Sequence, residues 1–426
     1  MQKVNYNTNR FNDAARVTNA PKIVGLLFVF FALTPFTHWG LNSLDSQPWP
    51  LLSGLLYLLL ARRLPYQREI SFLSLVITII VPLILLFQWP GTELAMRAAG
   101  SYFTLVVCML VYYDYLVYFG VPIRMICFVN LLYFVMAVAE LYFPTINSGL
   151  SAARTSEGRG VTSLAAEPTY FAVILIFLSW LELLAFDYRP TKIVALLLSL
   201  NVVAVVFLSQ STMGSLFLIL AALIICIYQL SFFRLKTIAL SIVLFVSAFY
   251  TLRLPALDQY FGDRMLGAIK GFSYDGLTAV FEKDESMNIR LANVVYSFDG
   301  MVRNLLVPGG FNTYGDLRFV QDRSYNGYFW AGDTSDKIGS YLGAICYELG
   351  IFGLLLVGIM IRGLVFRKSI LSYLECFTLF LFAAAAIPLA FAPLHLVFVT
   401  LLFASHRVGK SMIRNSQNLQ VNESNV

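Results

Sequence analysis

The sequence predicts an all-α polytopic membrane protein with about twelve transmembrane helices and one long, partly helical outer loop. Of its 426 residues, 58% are hydrophobic and only 13% are charged, and the mean hydropathy is +0.73. A soluble domain carries about 25% charged residues, so this excess of apolar surface predicts contact with lipid. Two further observations support that prediction: apolar runs of spanning length, and an uneven distribution of Lys and Arg between them.

The N-terminal segment 1–22 is polar and basic, and we expect it in the cytoplasm. A cleaved signal peptide would need a short basic region, a small-residue cleavage site and a soluble remainder, and the sequence offers none of these. The first apolar run, from Ile23 to His38, is therefore expected to be an uncleaved first helix.

Twelve apolar runs are candidates for crossing the membrane. A helix needs about 20 residues to cross a hydrocarbon core of about 30 Å, and helices satisfy their backbone groups in lipid. The second run is short, and the last two could form one bent segment around Pro388 and Pro393. The runs lie near residues 23–39, 49–62, 71–89, 100–119, 122–140, 169–186, 192–209, 212–231, 235–253, 338–361, 370–386 and 389–405.

The basic residues alternate between the two sides of these runs. With the N-terminus inside, the inner segments carry eighteen Lys and Arg residues. The short outer segments carry four, which are Arg97, Arg154, Arg159 and Arg253. Cytoplasmic loops are enriched in Lys and Arg, so this bias predicts cytoplasmic termini, including the tail 406–426.

Two outer segments interrupt the helices. The region 23–253 is expected to hold helices one to nine, with a short outer loop at 141–167, and 338–405 to hold helices ten to twelve. Between them, the long loop 254–337 contains eleven acidic, eight basic and fourteen aromatic residues. Long loops escape the charge bias, so its mixed charge is compatible with an outer location.

Three stretches of the chain resemble one family. They are Ala165-Ala166-Glu167-Pro168-Thr169-Tyr170-Phe171-Ala172, the Ser/Thr/Gly hairpin from Phe207 to Gly214, and a set that couples Arg290, Pro308-Gly309-Gly310 and the run from Ser340 to Gly353. The first is similar to the Glu-Pro-Ser-Tyr-Phe-Ala signature of Wzy-type O-antigen and capsule repeat-unit polymerases. The last is similar to the helix that follows the large outer loop in these polymerases and in O-antigen ligases.

The resemblance implies a glycosyltransferase that works at the periplasmic side of the bacterial inner membrane. Such an enzyme transfers the growing glycan from undecaprenyl diphosphate to the non-reducing end of a lipid-linked repeat unit. The implied partners are the undecaprenyl-diphosphate-linked oligosaccharide, membrane lipid and a chain-length-determining co-polymerase. The resemblance implies no cofactor, and the net charge of +6 is explained by topology, so no nucleic-acid partner is expected.

Two alternatives belong to different functional classes. An O-antigen ligase is one, but ligases of the family carry a His just before Tyr-Leu, where this chain has Ile338-Gly339. A flippase or transporter of lipid-linked oligosaccharides is the other. The long outer loop and the lack of visible repeats count against it.

Transfer from a diphosphate needs cations for the leaving group and a base for the acceptor hydroxyl. Arg binds phosphate bidentately, and a carboxylate can accept the proton. Arg290, which opens an amphipathic helix expected at about 286–303, is the first diphosphate candidate; a salt bridge to the preceding acidic cluster is the structural alternative. Glu167 is the candidate base; a helix cap or dipole partner is its alternative.

Further residues are candidates for binding the substrate or its diphosphate: Arg154, Arg159, Arg303, Tyr341 and Glu348. The two arginines of the short outer loop could equally be solvated charges. Glu348 could instead stabilise a bend near Gly350, and Arg303 should face away from Arg290, thirteen residues earlier. The outer loops contain no Asp-x-Asp pair and the three His form no cluster, so we expect a metal-independent reaction.

Overall fold

The computed structural model describes a bundle of helices. The described residues are 19–38, 47–62, 67–88, 93–147, 150–151, 160–230, 281–282, 284–317, 328–329, 338–385 and 387–406. Over these ranges the ordered elements are helical, and the only extended pairing is an isolated antiparallel bridge between Thr37 and Ser151.

Eight helices precede the long loop in the described part of the chain. Pro50 in α2 and Pro168 in α6 lie within the first two helical positions, where the missing N–H leaves no hydrogen bond unmade. The last turn of α7 continues as a π-helix over Ala204–Leu208. The eight are α1 (Asn19–Leu33), α2 (Trp49–Ala61), α3 (Arg68–Phe87), α4 (Glu93–Phe119), α5 (Ile123–Tyr142), α6 (Pro168–Ala185), α7 (Lys192–Val203) and α8 (Thr212–Leu230).

The amphipathic helix α9 (Glu285–Arg303) confirms the helix expected in the long loop. The longer α-helices described after it are α10 (Tyr341–Leu349), α11 (Ile351–Leu364), α12 (Ile370–Ala384) and α13 (Ala392–His406). The apolar run expected over 338–361 is divided into two helices at the bend that is one of the alternatives for Glu348. Gly350 separates α10 from α11 because its backbone, with φ 54° and ψ −126°, is not helical.

Within the described ranges, four helices are long and apolar enough to cross a membrane: α3, α4, α5 and α6, with 20, 27, 20 and 18 residues. The other apolar helices are shorter, between 10 and 17 residues over their described parts, and include α1, α2 and α13. The ninth expected run, 235–253, lies outside the described residues. These helices are consistent with a multi-pass membrane protein, because their outward faces carry exposed large apolar side chains.

Small residues allow close helix contacts in this bundle. A Cβ atom at Gly25 would lie 2.4 Å from the ring of Tyr115, and one at Gly54 would lie 2.4 Å from Val107. The first helices therefore pack against α4 with little space between their backbones. Asp114, buried in α4, accepts a hydrogen bond of 2.7 Å from Tyr57 of α2.

The long loop is anchored at one end of the bundle, hereafter the loop end. The side chain of Gln88, at the end of α3, donates to the carbonyl of Gly309 (3.2 Å) and accepts from the N–H of Phe311 (2.8 Å). The N–H of Gly309 donates to the carbonyl of Tyr347 in α10. The segment after α9 is thus bound to α3 and α10, so the loop is not an independent domain.

Candidate functional site

Glu167 lies at the loop end, directly before α6. Its backbone is extended (φ −145°, ψ 155°), and Pro168 is the first helical residue. The carboxylate makes no capping hydrogen bond to the helix, so the capping alternative is not what the structure shows. Its side chain is 26% exposed, which leaves it accessible at the surface of the bundle.

Arg290 faces Glu167 from the second turn of α9. Asp284 caps that helix by accepting a hydrogen bond of 3.0 Å from the N–H of Met287, which fixes where α9 begins. The guanidinium Nη2 of Arg290 lies 3.7 Å from Oε2 of Glu167, and the arginine side chain is 13% exposed. At this distance the two side chains form an ion pair without a short hydrogen bond. The N–H groups of the Arg290 guanidinium therefore remain available for a ligand.

The Ser/Thr hairpin between α7 and α8 joins the two sides of this pair. Ser211 Oγ donates to Thr169 Oγ1 (3.3 Å), two residues after Glu167. Thr212 Oγ1 donates to the capping carboxylate of Asp284 (3.4 Å), six residues before Arg290. The stretch around Glu167, the hairpin and the start of α9 with Arg290 therefore lie next to one another, which their sequence separation alone does not require.

Helix α10 packs alongside α9 and brings Tyr341 toward the bundle interior. The N–H of Gly339 donates to Asn293 Oδ1 (3.1 Å), and a Cβ at Gly343 would lie 2.9 Å from Ser297. Tyr341 is fully buried, and its hydroxyl makes no hydrogen bond with the part of the chain that the structure describes. As placed, it does not reach the exposed face of the Glu167–Arg290 pair.

Tyr341 is in contact with a histidine that the sequence did not suggest. The ring of His395, in the first turn of α13, lies 5.7 Å from that of Tyr341 between centroids, and His395 is buried. In the sequence, His395 is only one of three histidines that form no cluster. Its apolar neighbours in sequence give no signal of this contact, because the partner lies on another helix.

Glu348 lies at the end of α10 and is buried. Its Oε2 accepts a hydrogen bond of 2.7 Å from the hydroxyl of Tyr102 in α4, and no cation pairs with it among the described residues. The expected bend near Gly350 is present, but the carboxylate contributes to the α4–α10 contact and not to a helix cap. The structure thus shows Glu348 as part of the α4–α10 contact, and its expected role in binding the substrate stays a prediction.

Arg303 lies at the far end of α9, where it pairs with Asp299 at 2.8 Å and is 48% exposed. The structure does not bring it to the Glu167–Arg290 pair. Arg154 and Arg159 lie outside the described residues. Among the loop aromatics, Phe329 is buried edge-on against Tyr296 of α9, with centroids 5.1 Å apart, so it packs the loop onto this helix.

The arrangement at the loop end offers two chemical capacities. A partly exposed carboxylate can accept a proton, and the adjacent guanidinium can bind an anion. Over the described ranges, no group of three or more His, Cys, Asp and Glu side chains is placed to hold a metal ion. The chain matches no protein-family model, no curated protein and no solved structure.

Proposed function

We propose that the protein is a polymerase of O-antigen or a related surface polysaccharide. In this proposal it transfers a growing glycan from undecaprenyl diphosphate to the non-reducing end of a lipid-linked repeat unit. The observation that supports it best is the pairing of Glu167 with Arg290 at 3.7 Å. Each belongs to a stretch that resembles the polymerase family, and the two are partly exposed at the same end of the bundle.

The proposed reaction gives each member of the pair one role. The acceptor hydroxyl oxygen bonds to the anomeric carbon of the donor glycan, and its proton passes to the carboxylate of Glu167. The bond from that carbon to the diphosphate oxygen breaks, and undecaprenyl diphosphate leaves with the electron pair. Arg290 stabilises the negative charge that develops on the diphosphate. Such a base contributes roughly 10²–10⁴-fold to the rate.

The proposal includes about twelve transmembrane helices in the bacterial inner membrane. The excess of Lys and Arg in alternate loops supports cytoplasmic termini and a periplasmic loop end. The Glu167–Arg290 pair would then lie at the outer boundary of the lipid. A polyprenyl diphosphate, whose chain lies in the membrane, presents its head group at that depth.

Deletion of the gene in its host distinguishes this function from its alternatives. Loss of a polymerase leaves lipid A–core with a single repeat unit and no ladder on a gel. Loss of a ligase or of a flippase leaves no repeat unit attached. An unchanged ladder after deletion refutes the polymerase proposal.

Two substitutions then test the pair. Glu167→Gln and Arg290→Ala are expected to abolish the ladder while the protein reaches the membrane at its normal level. Arg290→Lys, which keeps the charge but loses the bidentate fork, is expected to extend chains weakly. Matched controls are Glu93→Gln and Arg97→Ala, because these residues form an exposed i,i+4 ion pair on α4. A full ladder from Glu167→Gln or Arg290→Ala removes that residue from the proposed site.

A further inference from the structure

A second carboxylate, that of Glu140, binds the chain just before the proposed site. Glu140 lies two residues before the end of α5. It accepts hydrogen bonds from Asn147 Nδ2 (2.7 Å), the N–H of Thr162 (3.0 and 3.1 Å), Thr162 Oγ1 (3.1 Å) and the N–H of Ser163 (2.6 Å). One side chain thus satisfies four donors, two of which belong to the backbone.

Three of these donors belong to a buried turn, formed by Thr162 and Ser163, that solvent does not reach. Thr162 and Ser163 are fully buried, so their N–H groups need a protein partner. Ser163 has a positive φ of 54°, unusual for a residue with a side chain, and its hydroxyl donates to the carbonyl of Tyr133 (2.7 Å). Helix α5 therefore holds this turn through Glu140 and through its own backbone.

The opposite side of the same segment is held by the Ser/Thr hairpin. The N–H of Val161 donates to the carbonyl of Leu208 (2.9 Å). A Cβ at Gly160 would lie 2.2 Å from the carbonyl oxygen of Ser209, so only glycine fits there. The segment 160–166, hereafter the strap, is thus fixed between α5 and the hairpin, and it ends at Glu167.

We infer that Glu140 is a positioning residue for the proposed transfer. It holds the strap so that the carboxylate of Glu167 stays beside Arg290. This inference rests on the proposed function. Glu140 touches neither member of the pair in the described structure, since the residues that it bonds to lie four or more residues before Glu167. Its effect on Glu167 therefore passes through the strap. The other side of the strap is fixed by the hairpin, which also contacts α9 through Asp284.

The chemistry of the four donors defines the informative variants. Glu140→Ala removes every acceptor and leaves two buried N–H groups without partners. Glu140→Gln is the conservative variant. Its amide oxygen can take the donors now at Oε2, and its NH₂ can donate to Thr162 Oγ1. If Glu140 acts by holding the strap in place, Glu140→Gln should keep most of the strap's protection from exchange and most of the transfer rate that Glu140→Ala loses.

The first measurement concerns the strap alone and does not depend on catalysis. Hydrogen exchange of the purified protein in detergent is expected to be at least tenfold faster in the strap of Glu140→Ala than in the wild type. Exchange in α3 should be unchanged, and Glu93→Ala, an exposed glutamate at the same end of the bundle, serves as the matched control. Unchanged exchange in the strap of Glu140→Ala overturns the inference.

The second measurement concerns transfer. Lipid-linked repeat units extracted from the deletion strain are supplied to purified protein, and chain extension is followed at several substrate concentrations. Glu140→Ala should lower the maximal rate at least tenfold and leave the half-saturating concentration within about twofold, since Arg290 still binds the diphosphate. Glu140→Gln should retain most of the rate.

The two measurements separate the possible failures. Faster strap exchange with an unchanged rate shows that the strap does not position Glu167, and it overturns the inference. A raised half-saturating concentration with an unchanged maximal rate does the same. If wild-type protein extends no chains and the deletion leaves the ladder unchanged, the proposed function fails and the inference fails with it. The exchange result then reports only on the strap.

Discussion

Replacing Gly350 with alanine tests how the long loop is bound to the break between α10 and α11. The Gly350 backbone conformation costs another residue about 1–3 kcal/mol. A Cβ would lie 2.3 Å from the carbonyl oxygen of Leu306, which accepts the N–H of Ile351 at 2.8 Å. Separating these two atoms loses a hydrogen bond of about 1 kcal/mol. Together, Gly350→Ala should weaken loop docking by about 2–4 kcal/mol.

Hydrogen exchange measures this change directly. A loss of about 2–4 kcal/mol corresponds to roughly 30- to 700-fold faster exchange of the amides in 304–310 and of Ile351, where local opening controls exchange. Gly358→Ala is the matched control in α11, because no atom lies within 4 Å of a Cβ placed there. It should be neutral or slightly stabilising. Exchange as slow in Gly350→Ala as in Gly358→Ala would refute the reasoning.

Two further substitutions probe the buried polar contacts of the loop end. Tyr102→Phe removes the hydrogen bond to the buried carboxylate of Glu348, and it should lower stability by about 1–3 kcal/mol, seen as a lower thermal midpoint in detergent. Tyr142→Phe, at a 76% exposed position, should leave that midpoint unchanged. Gln88→Ala removes the oxygen that accepts the N–H of Phe311 and should accelerate hydrogen exchange of that amide. Gln88→Glu keeps an accepting oxygen and should have a smaller effect. Equal exchange in both variants would contradict the role of that oxygen.

The sequence allowed prediction of those features that depend on local pattern. The apolar period and polar face of α9, with Asp284 before it, predicted a helix that the structure contains. The break at Gly350 could not be predicted in the same way. In a hydropathy average over the apolar run, Gly350 is one residue among many. Its role depends on its positive φ and on the carbonyl of Leu306, which is distant in sequence.

The candidate site was predictable in its parts but not in its assembly. Glu167 and Arg290 were selected separately, from chemistry and resemblance, and their 3.7 Å separation is a tertiary result. Glu140 was missed because two of its four hydrogen-bond donors are backbone N–H groups, which no side-chain pattern records. His395 was missed because an isolated histidine in an apolar run does not show which ring it contacts on another helix.

The break between α10 and α11 has a consequence for the order in which the protein is assembled. The carbonyls of Tyr347 and Glu348 and the N–H of Ile351 are satisfied by Gly309, Gly310 and Leu306, which are synthesised earlier. In lipid, unpaired backbone groups cost several kcal/mol each, so an inserting α10–α11 segment would be driven to stay one continuous helix. Contact with residues 306–310 supplies the partners that the broken form needs. We therefore expect the break to form only after this part of the loop has docked, and variants that weaken the docking should favour one continuous helix.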